Sequence, residues 1–334
     1  MLLQRKAFYN LIRLNLPRIE AGELPITDLQ EWQTANYRNK TTEELLQQLK
    51  GLQIDVGSSG FEVFGAHFEA PEEIVEVLAK EREPLEKDQL FLIFFELWRR
   101  IFPEKRTISI FCDELDNQIV AYNVGTPHAI ADALTHLQQL LDEQVDQGLG
   151  AHQAFQLIQI YCANDLESFL FDYILAEIDA GNYSYAKELL DGFKRYVQDP
   201  IWFDYLQARS AILEDPEEGY ELLERVIEEI HPNMDLDLLE EMLFFLANTG
   251  NHSLFYILAK KVLPLLKTEE DFQEFLEACY AHYDYLELKL PSLAIAALFY
   301  SRNGCDPENP LLQSDPGIKE IRTILDQKVH FAEE

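Results

Sequence analysis

The chain has 334 residues, 47% of them apolar, which is enough to bury the cores of two folded domains. It carries 60 Asp and Glu against 27 Lys and Arg, so its formal net charge is −33. Phosphate backbones and anionic membrane surfaces bind basic proteins, and this charge therefore argues against both as partners. It favours a basic protein or peptide, although acidity that only serves solubility is the alternative interpretation.

Three features favour a cytoplasmic protein. At the N-terminus the charges of Arg5 and Lys6 follow the apolar residues, which is not the order found in a secretory signal. The longest apolar run, residues 90–95, is far shorter than the roughly 20 residues that cross a bilayer, so no membrane insertion is expected. The four cysteines lie far apart without a CxxC pair, and we expect them to be reduced.

In chain order, apolar residues with helical spacing predict a first helix over residues 3–15. The stretch 41–45, Thr-Thr-Glu-Glu-Leu, predicts the start of another helix, capped by threonine and with carboxylates in its first turn. Glycines scattered among apolar residues over 51–69 predict short strands or an irregular loop. Pro71 opens a further helix, because proline is tolerated in the first helical turn, and the next helix spans about 88–101.

The following segment predicts a β-hairpin. Two runs rich in β-branched and aromatic residues, 107–112 and 118–122, flank an acidic stretch at 113–117. Residues 1–125 are therefore expected to form an N-terminal α+β region that contains one β-hairpin. Residues 126–334 consist of helical runs joined by short polar turns. The predicted fold class is mainly α, with a helix-hairpin repeat array as the second domain.

The repeat is visible in the turns. Gly-Asn-Tyr-Ser at 181–184 recurs 69 residues later as Gly-Asn-His-Ser at 250–253, and residues 214–217 form a turn midway. The repeating unit is therefore 34 or 35 residues long and contains a helix, a tight turn and a second helix. Such a hairpin cannot bury its apolar face alone, so each one is expected to stack on its neighbours.

Gly181, Tyr183 and Ala186 place a turn glycine, an aromatic residue and a small residue at fixed offsets. Gly219 supplies the small residue of the next unit, and Gly250 supplies the turn of the one after. In this pattern residues 165–310 resemble the tetratricopeptide repeat family. The resemblance implies a superhelix whose concave groove is made by the first helix of each hairpin. An irregular helical solenoid and a plain helical bundle remain open as alternatives.

The resemblance also implies which residues line the groove. Carried over onto this sequence, the groove positions are Ser168, Asp179, Asp204, Asp237, Glu240 and Asn248. Because four of the six are acidic, such a groove would suit a basic peptide. A solvated acidic helix face that binds nothing is the alternative.

No catalytic residue, metal site or cofactor is predicted. Asp113, Glu114 and Asp116 form the densest carboxylate cluster, but the cluster lacks calcium-loop spacing, and an acidic hairpin turn is favoured over a metal site. The stretch 57–60, Gly-Ser-Ser-Gly, lacks the lysine of a phosphate-binding loop and is expected to be a flexible turn. None of the eight histidines forms an HExxH pair.

An aromatic stripe near the C-terminus has two interpretations. It comprises Tyr280, Tyr283, Tyr285, Phe299 and Tyr300. Packing between stacked hairpins is favoured, and a hydrophobic pocket for a peptide is the alternative.

The leading hypothesis for function is a protein–protein interaction module. An adaptor or chaperone-like protein that holds a basic or aggregation-prone partner in an acidic helical groove fits both the charge and the resemblance. The alternative is an enzyme with a metal- or nucleotide-dependent site in the N-terminal region. A structural oligomer joined through the aromatic stripe is a third hypothesis.

Overall fold

The computed structural model of the protein describes residues 3–26, 28–125, 130–231 and 234–327. These residues form 19 α-helices and one short 3₁₀ turn, and they contain no β-strand. The mainly α class is thereby confirmed. The chain divides into two compact units, one comprising Met1–Asp179 with Glu188–Gln198 and the other Ala180–Lys187 with Asp199–Glu334. The domain boundary expected at residue 125 adjoins residues outside the described ranges and stays a prediction.

The first unit contains the helices up to residue 179 and most of the twelfth helix. Their bounds are α1 Arg5–Leu14, α2 Leu16–Glu20, α3 Glu31–Thr34, the 3₁₀ turn Tyr37–Asn39, α4 Thr42–Gly51, α5 Ser58–Gly65, α6 Pro71–Leu78, α7 Pro84–Ile101, α8 Ile108–Asn123, α9 Ile130–Asp146, α10 Ala151–Gln159, α11 Leu166–Asp179 and α12 Tyr183–Phe193. The second unit continues with α13 Pro200–Glu214, α14 Pro216–Glu228, α15 Leu236–Ala247, α16 His252–Val262, α17 Glu269–Tyr285, α18 Lys289–Ser301 and α19 Pro316–Leu325.

Helix α7 is the centre of the first unit. Its nine consecutive residues 90–98 are all buried, which is typical of a helix surrounded by protein on every side. Helices α4 and α6 pack against it, and Phe61 of α5 stacks on Phe94 with 5.8 Å between ring centroids. The buried charge of Glu96 is neutralised by Arg99 and Arg100. The apolar run that is too short for a membrane span is thus the core of this unit.

The predicted β-hairpin over 107–122 is wrong, because this segment is the single helix α8. Thr107 caps the helix by accepting the N–H of Ile110 at 3.3 Å. The residues buried along α8 include Cys112, Leu115 and Ile119, which follow helical spacing. The β-branched residues are therefore accommodated by tertiary packing, which outweighs their weak intrinsic preference for strands. Likewise, the region 51–69 is not a set of strands, since it contains the helix α5.

The supposed acidic turn lies in the middle of α8, and two of its carboxylates are buried. Asp113 forms ion pairs with Lys6 and Arg38 and accepts a hydrogen bond from Asn10 at 2.9 Å. Burial alone would raise the pKa of Asp113, but Lys6 and Arg38 hold it well below its usual range. This carboxylate therefore joins α8 to α1 and to the segment after α3.

Asp116 connects α8 to the segment after α10. Its carboxylate accepts the backbone N–H groups of Ala163 and Asn164 at 2.9–3.0 Å and the side-chain amide of Asn164 at 2.8 Å. Burial nevertheless raises its pKa, and the hydrogen bonds from Ala163, Asn164 and Asn10 offset this only in part. The carboxylate oxygens of Asp113 and Asp116 are thus engaged in ion pairs and hydrogen bonds within the protein.

We expect Asp116→Ala to lower the free energy of unfolding by roughly 2–4 kcal/mol, because it leaves several partly buried N–H donors without this acceptor. Urea denaturation of the purified protein measures this change. Asp191→Ala, which removes an exposed aspartate of α12, is the matched control and is expected to change stability little. Equal effects of the two substitutions would contradict the structural role of Asp116.

The second unit is built from successive helical hairpins. The first helices of three hairpins, α13, α15 and α17, begin at Pro200, Leu236 and Glu269, which are 36 and 33 residues apart. Their partners α14, α16 and α18 pack against them, and α15 also packs against α17. Gly250 has a φ of +76°, in the left-handed region that favours glycine in a helix-ending turn. The helical array is consistent with the predicted repeat, whereas membership of the tetratricopeptide family stays a prediction.

Gly219 marks the closest approach of α14 to α13. A Cβ atom at this position would lie 2.2 Å from the backbone nitrogen of Ile212 and 2.5 Å from its Cα. Asp215 is both the last cap of α13 and the first cap of α14, so the two helices are joined by a very short turn. Only glycine allows the two backbones to come this close.

Gly219→Ala is therefore expected to lower the free energy of unfolding by about 1–3 kcal/mol, because the added methyl group collides with backbone that cannot move cheaply. The control is Gly60→Ala in α5, where a Cβ meets nothing within 4 Å. That substitution should be neutral or slightly stabilising, since alanine favours helix over glycine. Thermal and urea denaturation measure the free energy of unfolding of both variants. If Gly219→Ala leaves it unchanged, α13 and α14 can move apart without a loss of stability.

Candidate functional site

The six predicted groove residues are distributed over both units. Ser168 and Asp179 lie on α11 of the first unit, and both are exposed. In the second unit Asp204 lies on α13, Asp237 and Glu240 lie on α15, and Asn248 caps the C-terminal end of α15. The Asn248 side chain donates to the carbonyl of Phe244 at 2.9 Å. Of these residues, Asp237 and Glu240 share one electrostatic environment.

Asp237 and Glu240 belong to a larger group of acidic side chains where α15 packs against α17. The other members are Asp271 and Glu274 of α17, and all act on the pKa of Glu240. Each helix contributes an aspartate and a glutamate three residues apart, a spacing that places both on one helix face. We call these four residues the α15–α17 carboxylate cluster.

Glu240 is the most perturbed member of the cluster. Burial raises its pKa first, and the neighbouring carboxylates, above all that of Glu274, raise it further, to about 8. Its Oε1 atom is buried and accepts no hydrogen bond from the described residues. At neutral pH the cluster therefore retains a proton, which relieves the repulsion between carboxylates in the absence of a cation.

Asp271 behaves differently because the protein solvates its charge. Burial raises the pKa of Asp271, but the backbone N–H groups of Lys267 and Thr268, at 2.7 and 2.9 Å, bring it below its ordinary value. Glu241, the residue next to Glu240, pairs with Arg209 of α13 and accepts a hydrogen bond from Tyr205 at 3.2 Å. Hence Asp271 and Glu241, two acidic neighbours of Glu240, both have partners within the protein.

The sequence-based alignment missed Asp271 and Glu274. They lie 34 residues after Asp237 and Glu240, which is the predicted repeat length. Asp204 of α13 precedes Asp237 by 33 residues, which is close to the same interval. Extending the repeat by one further unit is the signal that would have found them.

A second surface feature lies beside the cluster, between α17 and α18. It is a groove of about 850 Å³, and we call it the α17–α18 groove. Its walls include the apolar side chains of Tyr280, Leu293 and Tyr300, which are 41%, 67% and 68% exposed. Three acidic residues, Glu277, Asp284 and Glu287, lie among the lining residues, together with one basic residue, Lys289.

The residues of the aromatic stripe differ in their environment: one is buried in the core, and three line the groove. Tyr283 is fully buried and contributes to packing inside the second unit. Tyr280, Phe299 and Tyr300 instead line the α17–α18 groove. Tyr285 is exposed and lies against Gly250, where an added Cβ would be 3.0 Å from its ring.

Two histidines meet in the second unit and have a structural role. His282 of α17 is fully buried, stacks on Phe255 of α16 at 3.8 Å between centroids, and lies 3.1 Å from the ring of His252. Burial and the neighbouring His252 lower the pKa of His282 to about 4. The ring is therefore neutral at physiological pH and serves as an aromatic contact between the two helices.

The carboxylates considered for a metal site in the N-terminal region have structural partners instead. Asp113 and Asp116 are occupied by the protein's own cations and amides, as described above. Across residues 3–26, 28–125, 130–231 and 234–327, no group of three or more His, Cys, Asp or Glu side chains is arranged to hold a metal ion. Gly57 caps α5, and Gly60 lies within that helix. His128 lies outside the described residues.

These features define the class of the protein as a helical protein whose second unit is an array of helical hairpins with an acidic surface. No family model, no curated protein and no solved structure matches the chain. In the part of the chain that the structure describes, no helix combines the length and the apolar composition needed to cross a bilayer. The carboxylate cluster and the α17–α18 groove are therefore the two features of the second unit from which a function can be inferred.

The raised pKa of Glu240 predicts a pH dependence of stability. The ordinary pKa of 4.5 applies in the unfolded chain and a value of about 8 in the folded protein, so the folded state binds the proton more tightly between these values. The contribution of Glu240 to the free energy of unfolding is fully present below about pH 4.5 and is lost as the pH rises through about 8. Glu240→Gln, which has no titrating proton, is expected to remove this fall.

Urea denaturation of wild type and Glu240→Gln at several pH values between about 5 and 8 checks this expectation. The difference in free energy of unfolding between the two proteins should change steadily in favour of the variant as the pH rises. Glu224→Gln, at an exposed position of α14, is the control and should run parallel to wild type. A pH-independent difference for Glu240→Gln would show that the carboxylates are not coupled.

Proposed function

We propose that the protein is an interaction module, adaptor-like or chaperone-like, that binds a basic segment of a partner protein at the α15–α17 carboxylate cluster. The observation that carries the proposal is the state of Glu240, whose pKa is raised to about 8 by burial and by like charges. Its buried Oε1 atom accepts no hydrogen bond from any described residue. A lysine or arginine side chain from a partner, placed beside the exposed Asp237 and Glu274, would supply the positive charge that the cluster lacks.

The ionisation of Glu240 is linked to the binding of a cation. A half-buried carboxylate surrounded by other carboxylates is costly to ionise, and the protein meets this cost by retaining a proton. An incoming cation favours the ionised form of Glu240, so binding is expected to release that proton. Binding of a basic segment should therefore be coupled to proton release at neutral pH, which distinguishes this cluster from an ordinary exposed acidic face.

Net charge acts at longer range than the cluster. With −33 on the whole chain, a basic partner is attracted from a distance and wrongly charged partners are repelled. Exposed ion pairs each contribute only about 0.2–1 kcal/mol, so general acidity gives rapid but weak association. Specific binding requires the half-buried cluster in addition.

The test compares two double charge reversals in a titration with a fluorescein-labelled oligolysine peptide at low salt. Asp237→Lys/Glu240→Lys changes the cluster, and Glu224→Lys/Glu228→Lys changes two exposed residues of α14 by the same net charge. We expect the cluster variant to lose at least about tenfold in affinity, because Glu240 pairs with the ligand in a partly desolvated site. The α14 variant should lose much less.

Equal losses in the two variants would show that only net charge steers the peptide, and the assignment of the cluster would be wrong. Circular dichroism of each variant establishes that it is folded. Asp237→Asn/Glu240→Gln is a milder variant that keeps the shape of the side chains and should weaken binding in the same direction. Titration calorimetry in two buffers of different protonation enthalpy measures the proton release, which should disappear in that variant.

A further inference from the structure

Helix α18 has an apolar face that the described protein leaves uncovered. Its sequence is apolar on nearly every side, and its buried face contains Ser292, Ile295 and Leu298. On the opposite side Leu290, Leu293 and Tyr300 are 83%, 67% and 68% exposed. A helix that is apolar all round is normally enclosed by protein, so this face has the character of an interface.

The exposed face of α18 forms one wall of the α17–α18 groove, and α17 forms the other. Tyr280 and Tyr300 provide aromatic rings at the surface of the groove, and Phe299 lies deeper. The volume of about 850 Å³ is large enough to accept several apolar side chains. Exposed tyrosines of this kind are enriched among residues that contribute most to protein–protein binding.

The charges around the groove decide which kind of partner fits. Glu277, Asp284 and Glu287 line it, against the single cation Lys289. Two copies of this chain joined through the groove would bring these carboxylates together in an interface, which costs free energy in addition to the repulsion between two chains of −33. A partner segment that presents lysine or arginine beside apolar residues complements both the apolar walls of the groove and its acidic lining residues.

Helix α17 contributes residues both to the groove and to the carboxylate cluster. Glu274, Glu277 and Asp284 are exposed on the same side of this helix, and ten residues separate the first from the last. At 1.5 Å per residue this is about 15 Å, or close to three helical turns. A helical segment of ordinary length can therefore contact the cluster and the groove together.

We propose that the α17–α18 groove binds the apolar face of a basic amphipathic helix from the partner protein. This inference rests on the proposed function, because it identifies the partner segment whose cations reach the carboxylate cluster. The apolar residues of the segment, at helical spacing, enter between Tyr280 and Leu293, and its cations face Glu277 and Asp284. Recognition of an amphipathic helix in an apolar groove is a recurrent mode of peptide binding.

Besides the double variant Asp237→Lys/Glu240→Lys, the experiment uses three labelled peptides and one further pair of variants of the full chain. The probes are an 18-residue peptide of Leu and Lys with all leucines on one helical face, the same composition shuffled to spread the leucines around the helix, and oligolysine. The variants are Leu293→Ser and Leu312→Ser. Both leucines are 67% exposed in the second unit, but only Leu293 lines the groove, so Leu312→Ser is the matched control.

We expect the amphipathic peptide to bind with one-to-one stoichiometry and at least about tenfold more tightly than the shuffled peptide. Leu293→Ser should weaken the amphipathic peptide about tenfold, since burial of one leucine side chain is worth roughly that factor or more. Oligolysine should bind equally to wild type and Leu293→Ser. Leu312→Ser should leave all three affinities unchanged.

Unchanged binding of the amphipathic peptide to Leu293→Ser would overturn the groove assignment. If Asp237→Lys/Glu240→Lys still weakened oligolysine in that case, the proposed function would stand without the groove. Loss of both effects would overturn the two proposals together. A dimer in sedimentation that Leu293→Ser dissociates would show that a second copy occupies the groove, and this too would contradict the assignment.

Discussion

The stacking of one helical hairpin on the next is the constraint on which the second unit depends. A hairpin of two helices cannot bury its apolar residues alone, so α15 must pack against α17 and α17 against α18. Helix α17 turns Phe272, Phe275 and Tyr283 inward for this purpose. Its remaining face then carries Glu274, Tyr280 and the other exposed residues, and both candidate surfaces follow from that division.

The two units use acidic side chains in different ways. In the first unit, Asp113 is paired with Lys6 and Arg38, and Glu96 is paired with two arginines. The pairs of Asp113 hold α8 against α1 and against the segment after α3, and each of these two buried carboxylates is compensated by cations of the protein itself. In the second unit, Glu240 faces other carboxylates instead of a cation, and its pKa records the cost. The same residue types are thus structural in one place and candidates for binding in the other, according to what surrounds them.

Local sequence patterns predict some elements of this fold and not others. The repeat of glycine turns correctly indicated helical hairpins, because turn chemistry and helical spacing are local properties. The segment 107–122 was wrongly predicted as a β-hairpin, because its β-branched residues suit a strand locally. The contacts that fix it as a helix, around Asp113 and Asp116, come from residues about 50 to 100 positions away. The aromatic stripe was identified from the sequence, but only packing distinguishes the buried Tyr283 from the exposed Tyr300.

By itself, the sequence determined the helical class, the approximate repeat length, the excess of negative charge and two of the four members of the carboxylate cluster. These features are fixed by composition and by spacing along one chain. Only the tertiary structure decided that α15 and α17 bring carboxylates from successive repeats together, that Glu240 keeps its proton, and that α18 leaves an apolar face uncovered. The physical reason is that desolvation and the energy between charges depend on which distant residues become neighbours, and a local pattern does not contain that information.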